Sequence, residues 1–317
     1  LKMPYLADLL ETLAIEGFEL FYRGEIAQSV VKDNRNGGHL SIEDFKCYNT
    51  LIKRPLEKRW NDWTWYSNTE PSLGGAMQWS ILFELSEMSS PGWEEIRDVL
   101  KYSEQLRNNP EKLFQGYFDR AYGHAEDMLR NRKYGSTTHF NIIDKDGLGI
   151  SLTVSIGEGS GYFIPGTDVQ LNNCLGESAL LPGGLHSWIP DRRLISLMSP
   201  TVLQHRSKDA IALFGTGGAG RIPSAMAHVI LHYITDGLSL REAVELPRAH
   251  WQEGVFNIEN NYFDEEIMNQ ISSIENVTLW PEPHLYFGGV QASSMTNGYM
   301  EAVSDQRREG TGLQSNK

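Results

Sequence analysis

A chain of 317 residues, 40% hydrophobic and 22% charged, has the make-up of a globular protein with enough apolar material for a substantial core. Its 41 acidic and 28 basic side chains leave a formal net charge of −13 and no basic stripe, which argues against nucleic acid and anionic membrane surfaces as partners. No apolar run is long enough for a transmembrane segment, and Cys47 and Cys174 form neither a disulfide framework nor a metal-ligand spacing, so each reads as a small buried apolar residue.

The first residues, Leu1-Lys2-Met3-Pro4-Tyr5, lack the basic, apolar and small-residue order of a signal peptide. Leu6, Leu9, Leu10 and Leu13 recur at helical spacing, so the chain opens like the middle of a helical region and reads as a piece of a longer precursor. The compartment is left open. Helix is expected from Leu6 to about Asn49, with a break at Gly37-Gly38 and a fresh start at Ser41, whose hydroxyl can accept first-turn amides. Trp60, Trp63, Trp65 and Tyr66 suggest a strand. An apolar helix follows from Ala76 to Leu85, then a charged helical stretch from Trp93 to Arg132.

At Tyr134 the character changes. Thr137–Ile143 and Ile150–Ile156 read as strands, and the Asp146-Gly147 pair between them is a hairpin signal. Closing the hairpin there sets Thr138 opposite Ser155 and brings Thr137 close to Ser155. Asp209–Phe214 reads as another strand. Gly215-Thr216-Gly217-Gly218-Ala219-Gly220 leads into a helix over Pro223–Tyr233, and Ser239 with Glu242 forms a capping box for the next helix. Further strands are expected near Val277–Trp280 and Gly288–Ser293. The fold class is α+β.

A threonine freed at a chain start can use its own α-amine, which titrates near neutrality, as the base for its own hydroxyl. Such a residue should open a strand, follow a small residue and face other hydroxyls. Thr137 does so, after Gly135-Ser136, with Ser155 as a hydroxyl neighbour. Read from composition and spacing alone, the same pattern fits an ordinary strand-opening threonine. The glycines at 215, 217 and 220 also spell G-x-G-x-x-G, but a second helix follows rather than a strand with an acidic end, which argues against a dinucleotide fold. No metal-ligand cluster is visible.

The run Thr137-Thr138-His139-Phe140, Asp144-Lys145-Asp146-Gly147 and Ser151-Leu152-Thr153 resembles the start of the small subunit of γ-glutamyltranspeptidases, which are N-terminal-nucleophile hydrolases. The order continues through Gly157-Glu158-Gly159-Ser160-Gly161, Pro165-Gly166-Thr167, Leu171-Asn172-Asn173, the Gly215–Ile222 loop, Pro247-Arg248 and Ser304-Asp305. Phe21-Tyr22-Arg23-Gly24 and Pro71-Ser72-Leu73-Gly74-Gly75 resemble the later large subunit. The resemblance implies a four-layer αββα sandwich, with 1–136 as the later, mostly helical part of the large subunit and 137–317 as the small subunit. It also implies self-cleavage before Thr137, attack of Thr137 on a γ-glutamyl amide such as glutathione, and release of the acyl group to water or an acceptor amine. The implied partners are therefore that small-molecule substrate and the two subunits of one precursor, with no cofactor. Members of the family are often periplasmic or secreted.

By the same resemblance Gly217 and Gly218 would stabilise the oxyanion, Ser155 would orient the amine, and Thr153, Glu177 and Ser196 would meet substrate. Ile156, Cys174 and Ile195 depart from the family's polar pocket positions, and its carboxylate-binding arginine lies upstream of this chain. These departures keep two other readings open: an acylase for another acyl group, such as glutaryl, and a silent homologue that binds without catalysing. His139 and Arg221 read as structural.

Overall fold

The computed structural model describes residues 2–34, 38–108, 136–181, 183–259 and 263–314. The chain forms two compact units, residues 1–53 with 158–173, and residues 54–157 with 174–317. The Ser136–Thr137 junction lies inside the second unit.

In the smaller unit the expected helical region is cut into α1 (Pro4–Glu16), α2 (Glu19–Arg23), α3 (Glu25–Asp33) and α4 (Ile42–Cys47). α1 carries proline in its first turn, where the absent amide would have had no helical partner, and Gly17 ends it at φ 88°. Gly24 separates α2 from α3, a break that periodicity alone runs through. α4 begins at Ser41, whose hydroxyl accepts the Asp44 amide while the Asp44 carboxylate accepts the Ser41 amide. Leu9, Ile26 and Val30 pack with Ile164 from the 158–173 segment. Tyr162 donates a hydrogen bond to Asp33 at 2.7 Å.

The larger unit begins with β1 (Leu56–Trp60) and β2 (Trp63–Ser67), so the tryptophan-rich stretch read as one strand is a hairpin turning at Asn61-Asp62. Helices α5 (Gly74–Ser86) and α6 (Trp93–Asn108) follow. The rest of the expected Trp93–Arg132 helix, and Gly135, lie outside the described residues. Next come β3 (Thr137–Ile143), β4 (Gly149–Ser155), β5 (Thr201–His205) and β6 (Ala210–Gly215), then α7 (Ile222–Ile234) and α8 (Leu240–Glu245). The chain continues through β7 (Ala249–Gln252), β8 (Val255–Glu259), α9 (Glu265–Ser272), β9 (Val277–Trp280), β10 (Gln291–Thr296) and β11 (Tyr299–Val303). The strand expected at Gly288 therefore starts three residues later.

Six strands form an antiparallel sheet in the order β1-β2-β5-β6-β10-β11, β7-β8-β9 form a second sheet, and β3-β4 form a hairpin. The core lies between the large sheet and its helices: Trp65, Leu203, Ala212 and Phe214 pack with Ile81 and Leu82 of α5 and Met226 and Ile230 of α7. Because strand side chains alternate, Leu213 and Ile211 of β6 point the other way and meet the hairpin at Gly149. The middle of the sheet is thus covered on both faces, which accounts for the nearly unbroken apolar run of β6.

One buried ion-pair network ties the C-terminal segment down. Asp305 accepts from Arg248 at 2.5 Å and from the Val290 amide, and Glu259 accepts from Arg307 at 2.7 Å and from the Arg248 and His284 amides. Burial alone would raise the Asp305 carboxyl, but Arg248 and Arg307 beside it hold it below its ordinary range. Both cysteines are free, and neither is the buried apolar residue expected: Cys47 is exposed and Cys174 half-buried. Among the described residues no helix is long and apolar enough to cross a membrane, and no metal-ligating cluster is found.

Candidate active site

The hairpin does not close on a two-residue Asp146-Gly147 turn. Asp144 accepts the Asp146 and Leu148 amides on its side chain, holding a loop of residues 144–148 between the pair Ile143 and Gly149. The register therefore differs by one residue from the expected one, with Thr137 opposite Ser155 and Thr138 opposite Val154. A one-residue change turns every side chain to the other face of its partner strand. Here it puts the Thr137 and Ser155 hydroxyls on the same face, 2.9 Å apart. Ser155 also accepts the Gly157 amide, and the Ser136 amide donates to the Gly157 carbonyl, so the residues around the Ser136–Thr137 peptide are held from the strand opposite.

The same face continues as a polar ladder. His139 stands opposite Thr153 and Asn141 opposite Ser151. Asn141 donates its amide to the carbonyls of Leu213 and Gln291, which turns its side-chain oxygen towards His139 Nε2 at 2.9 Å. That nitrogen must then carry the proton, and Nδ1 accepts from the Thr153 hydroxyl at 2.8 Å. Burial pushes the His139 pKa down to about 4, against the opposing Asn141 bond. A neutral imidazole with both nitrogens engaged is a strut between hairpin and sheet, as the sequence reading favoured, and not a base for Thr137. Thr153, read as a substrate contact, spends its hydroxyl on that strut.

Gly217 comes up against Thr137. A Cβ there would stand 2.5 Å from the Thr137 carbonyl oxygen and 3.1 Å from its Cβ, so only glycine permits the approach. Gly218 adopts φ 143°, another conformation glycine supports. Thr137 and Gly217 line one cleft of about 1480 Å³, together with β10, β11 and the segment from Arg307 to Gln314. The rest of the candidate set is not gathered here. Glu177, half-buried just beyond the short helical turn at Cys174–Gly176, and Ser196, whose hydroxyl accepts the Met198 amide, do not line the cleft. Arg221 donates to the Tyr286 carbonyl and lies 4.8 Å from its ring centre, a structural use. Arg308 also lines the cleft.

A family model described as gamma-glutamyltranspeptidase matches residues 1–109 and 85–315, and the chain belongs to that family. It is 25% identical to the glutathione hydrolase proenzyme of Bacillus subtilis (strain 168), over 97% of this chain and 61% of that protein. With glutathione hydrolase proenzyme 1 of Schizosaccharomyces pombe it shares 28% identity, over 96% of this chain and 56% of the relative. Among solved structures, the cephalosporin acylase from Bacillus halodurans has a similar fold, with a TM-score of 0.71 over 98% of this chain and 62% of that chain at 20% identity. The chain thus spans little more than half the length of these relatives.

Proposed function

We propose that this chain is the greater part of a self-processing γ-glutamyl hydrolase or transferase with Thr137 as its nucleophile. The observation that carries this reading is the 2.9 Å contact between the Thr137 and Ser155 hydroxyls, at the head of a strand packed against Gly217, in a member of this family. In the unbroken chain the Thr137 hydroxyl attacks the Ser136 carbonyl carbon; the peptide C–N bond breaks, which frees the Thr137 amine and leaves an ester on Oγ1, and water hydrolyses that ester to release the Ser136 carboxylate and restore the hydroxyl. That amine then takes the hydroxyl proton as Oγ1 attacks the γ-glutamyl carbonyl. The amides of Gly217 and Gly218 receive the oxyanion, and each such donor lowers the barrier by about 3 kcal/mol. The ammonium returns its proton to the leaving amine, and water or an acceptor amine takes the acyl group from the threonyl ester. Residues 1–136 then belong to a large subunit and 137–317 to a small one, within a four-layer αββα sandwich that the helix–sheet–hairpin stacking supports.

Intact-mass spectrometry of the full-length protein tests the first step: two fragments, one starting at Thr137, are expected, and turnover of a γ-glutamyl anilide should accompany them. A chain that stays whole and inert would leave the silent homologue. Ile156, Cys174 and Ile195, which replace polar pocket positions, support a second reading as an acylase for glutaryl-type groups. Glu177 separates the two, because only a γ-glutamyl group carries an ammonium for it to bind. Selective loss of γ-glutamyl turnover in Glu177→Ala supports the first reading, and equal turnover of both anilides that Glu177→Ala leaves unaffected supports the second.

A further inference from the structure

Thr216 stands between the candidate oxyanion glycines and a turn that the buried ion pairs hold. It is 1% exposed, and its hydroxyl makes one bond in each direction. It donates to the Gly217 carbonyl at 2.7 Å and accepts the Gly289 amide at 2.8 Å. Gly288, at φ 81°, lies on the same group. A Cβ there would stand 2.8 Å from the hydroxyl oxygen and 2.9 Å from the Gly217 oxygen, so only glycine fits. The turn is anchored in its own right: Arg248 donates to the Phe287 carbonyl at 3.2 Å, and the Val290 amide donates to Asp305 at 2.9 Å. A line of contacts therefore runs from the Arg248–Asp305 pair through residues 287–290 to the Thr216 hydroxyl and on to the Gly217 carbonyl.

The Gly217 carbonyl and the Gly218 amide belong to one planar trans peptide, in which C=O and N–H point in opposite directions. Fixing the carbonyl from the Thr216 side therefore turns the Gly218 N–H the other way. Local sterics do not do this: with glycine on both sides, the plane can rotate at little cost. Half a turn would set the carbonyl oxygen where the amide donor was, and an oxygen there repels a developing oxyanion instead of receiving it. We propose that Thr216 is a positioning residue whose hydroxyl holds the Gly217–Gly218 peptide with its N–H aimed to receive the oxyanion. This rests on the reading of Thr137 as nucleophile and deepens it, by adding the residue that aims one of the oxyanion donors.

Thr216→Val and Thr216→Ala remove the hydroxyl, and Thr216→Ser keeps it; thermal melts verify folding and intact mass gives the processed fraction. Turnover of γ-glutamyl p-nitroanilide is measured on the full-length proteins and normalised to that fraction. Inhibition is measured with glutamate, planar at its γ-carboxylate, and with the analogue carrying a boronic acid there, which turns tetrahedral when a hydroxyl adds to boron. In the two hydroxyl-free variants kcat should fall about 10- to 100-fold with KM within about threefold, a large part of what one oxyanion donor supplies. The boronate should weaken by about the same factor and glutamate by less than about threefold. Thr216→Ser should keep kcat within about threefold of the wild type. An unchanged kcat in both hydroxyl-free variants overturns the assignment, and so does an equal weakening of glutamate and boronate. Failure of both to fold or to be processed also overturns it, since the hydroxyl would then build the site rather than aim one amide. A wild type that turns over no γ-glutamyl anilide overturns the Thr137 reading itself, and the role of Thr216 falls with it.

Discussion

The two faces of the β3–β4 hairpin carry opposite chemistry in opposite surroundings. The face turned to the large sheet holds Thr137, His139 and Asn141 with Ser155, Thr153 and Ser151, and His139 is only 7% exposed. The other face pairs Phe140 with Leu152 and Ile142 with Ile150, all of them substantially exposed. The polar side is thus the buried one. It is tolerated there because its groups find partners: Asn141 and Ser151 donate to the carbonyls of Leu213, Gln291 and Phe214, and His139 is held at both nitrogens. Hydrogen bonding, not apolar burial, docks this hairpin, and the same docking fixes where Thr137 stands.

The largest effect should come from the first rung of the inner ladder. Thr137→Ala should remain a single chain and lose about 10⁴-fold or more in γ-glutamyl anilide turnover, since nucleophile and base are one residue in this reading. A processed, active Thr137→Ala would end the assignment.

Next in size is the response of the inner face to acid. In the unfolded chain His139 takes a proton near pH 6.5, whereas in the folded chain burial delays this to about pH 4. Its contribution is therefore fully present above pH 6.5 and is lost as pH falls from there to 4, by about 3 kcal/mol. Denaturant midpoints between pH 7 and 4 should fall, and His139→Gln should flatten the slope. His228, pushed down to about 3, and His250, also lowered well below its ordinary value by burial, contribute in the same direction and would remain in that variant. A His139→Gln protein with an unchanged pH slope would remove the neutral-strut account. Smaller again, Ser155→Ala should reduce turnover about tenfold, the value of one oriented hydrogen bond to the nucleophile, with folding retained. Turnover equal to that of the wild type would leave Thr137 without the orienting neighbour argued for it.

How much of this was legible in the sequence follows from the same two faces. The two strands, the helix after the glycine loop, the helix start at Ser41 and the Ser239 capping box were readable, because periodicity and capping act within a few residues. The hairpin register was not, since the Asp-Gly signal favours a two-residue turn and the Asp144 side chain imposes a longer loop. Nor could alternation reveal which face turns inward: by hydropathy alone Phe140, Ile142, Ile150 and Leu152 are the buried set. The different surroundings of Arg307 and Arg308 were illegible for a related reason, because only the packed chain gives Arg307 to Glu259 and sets Arg308 along the cleft.

Adjacent residues sharpen the contrast at its mild end. Asn141→Leu should cost about 3 kcal/mol, because it removes the donor to the Leu213 and Gln291 carbonyls and the acceptor for the His139 N–H while adding the apolar bulk that hydropathy would favour. Ile142→Thr, one residue on, should cost roughly 0.5 kcal/mol or less, since Ile142 is 54% exposed and threonine keeps the β-branch that suits a strand. Chemical denaturation of both variants at pH 7 measures the difference directly. If the isoleucine change proved the costlier of the two, the apolar face would be the one that holds the hairpin, and the hydrogen-bonded ladder under Thr137 would lose its claim to position the nucleophile.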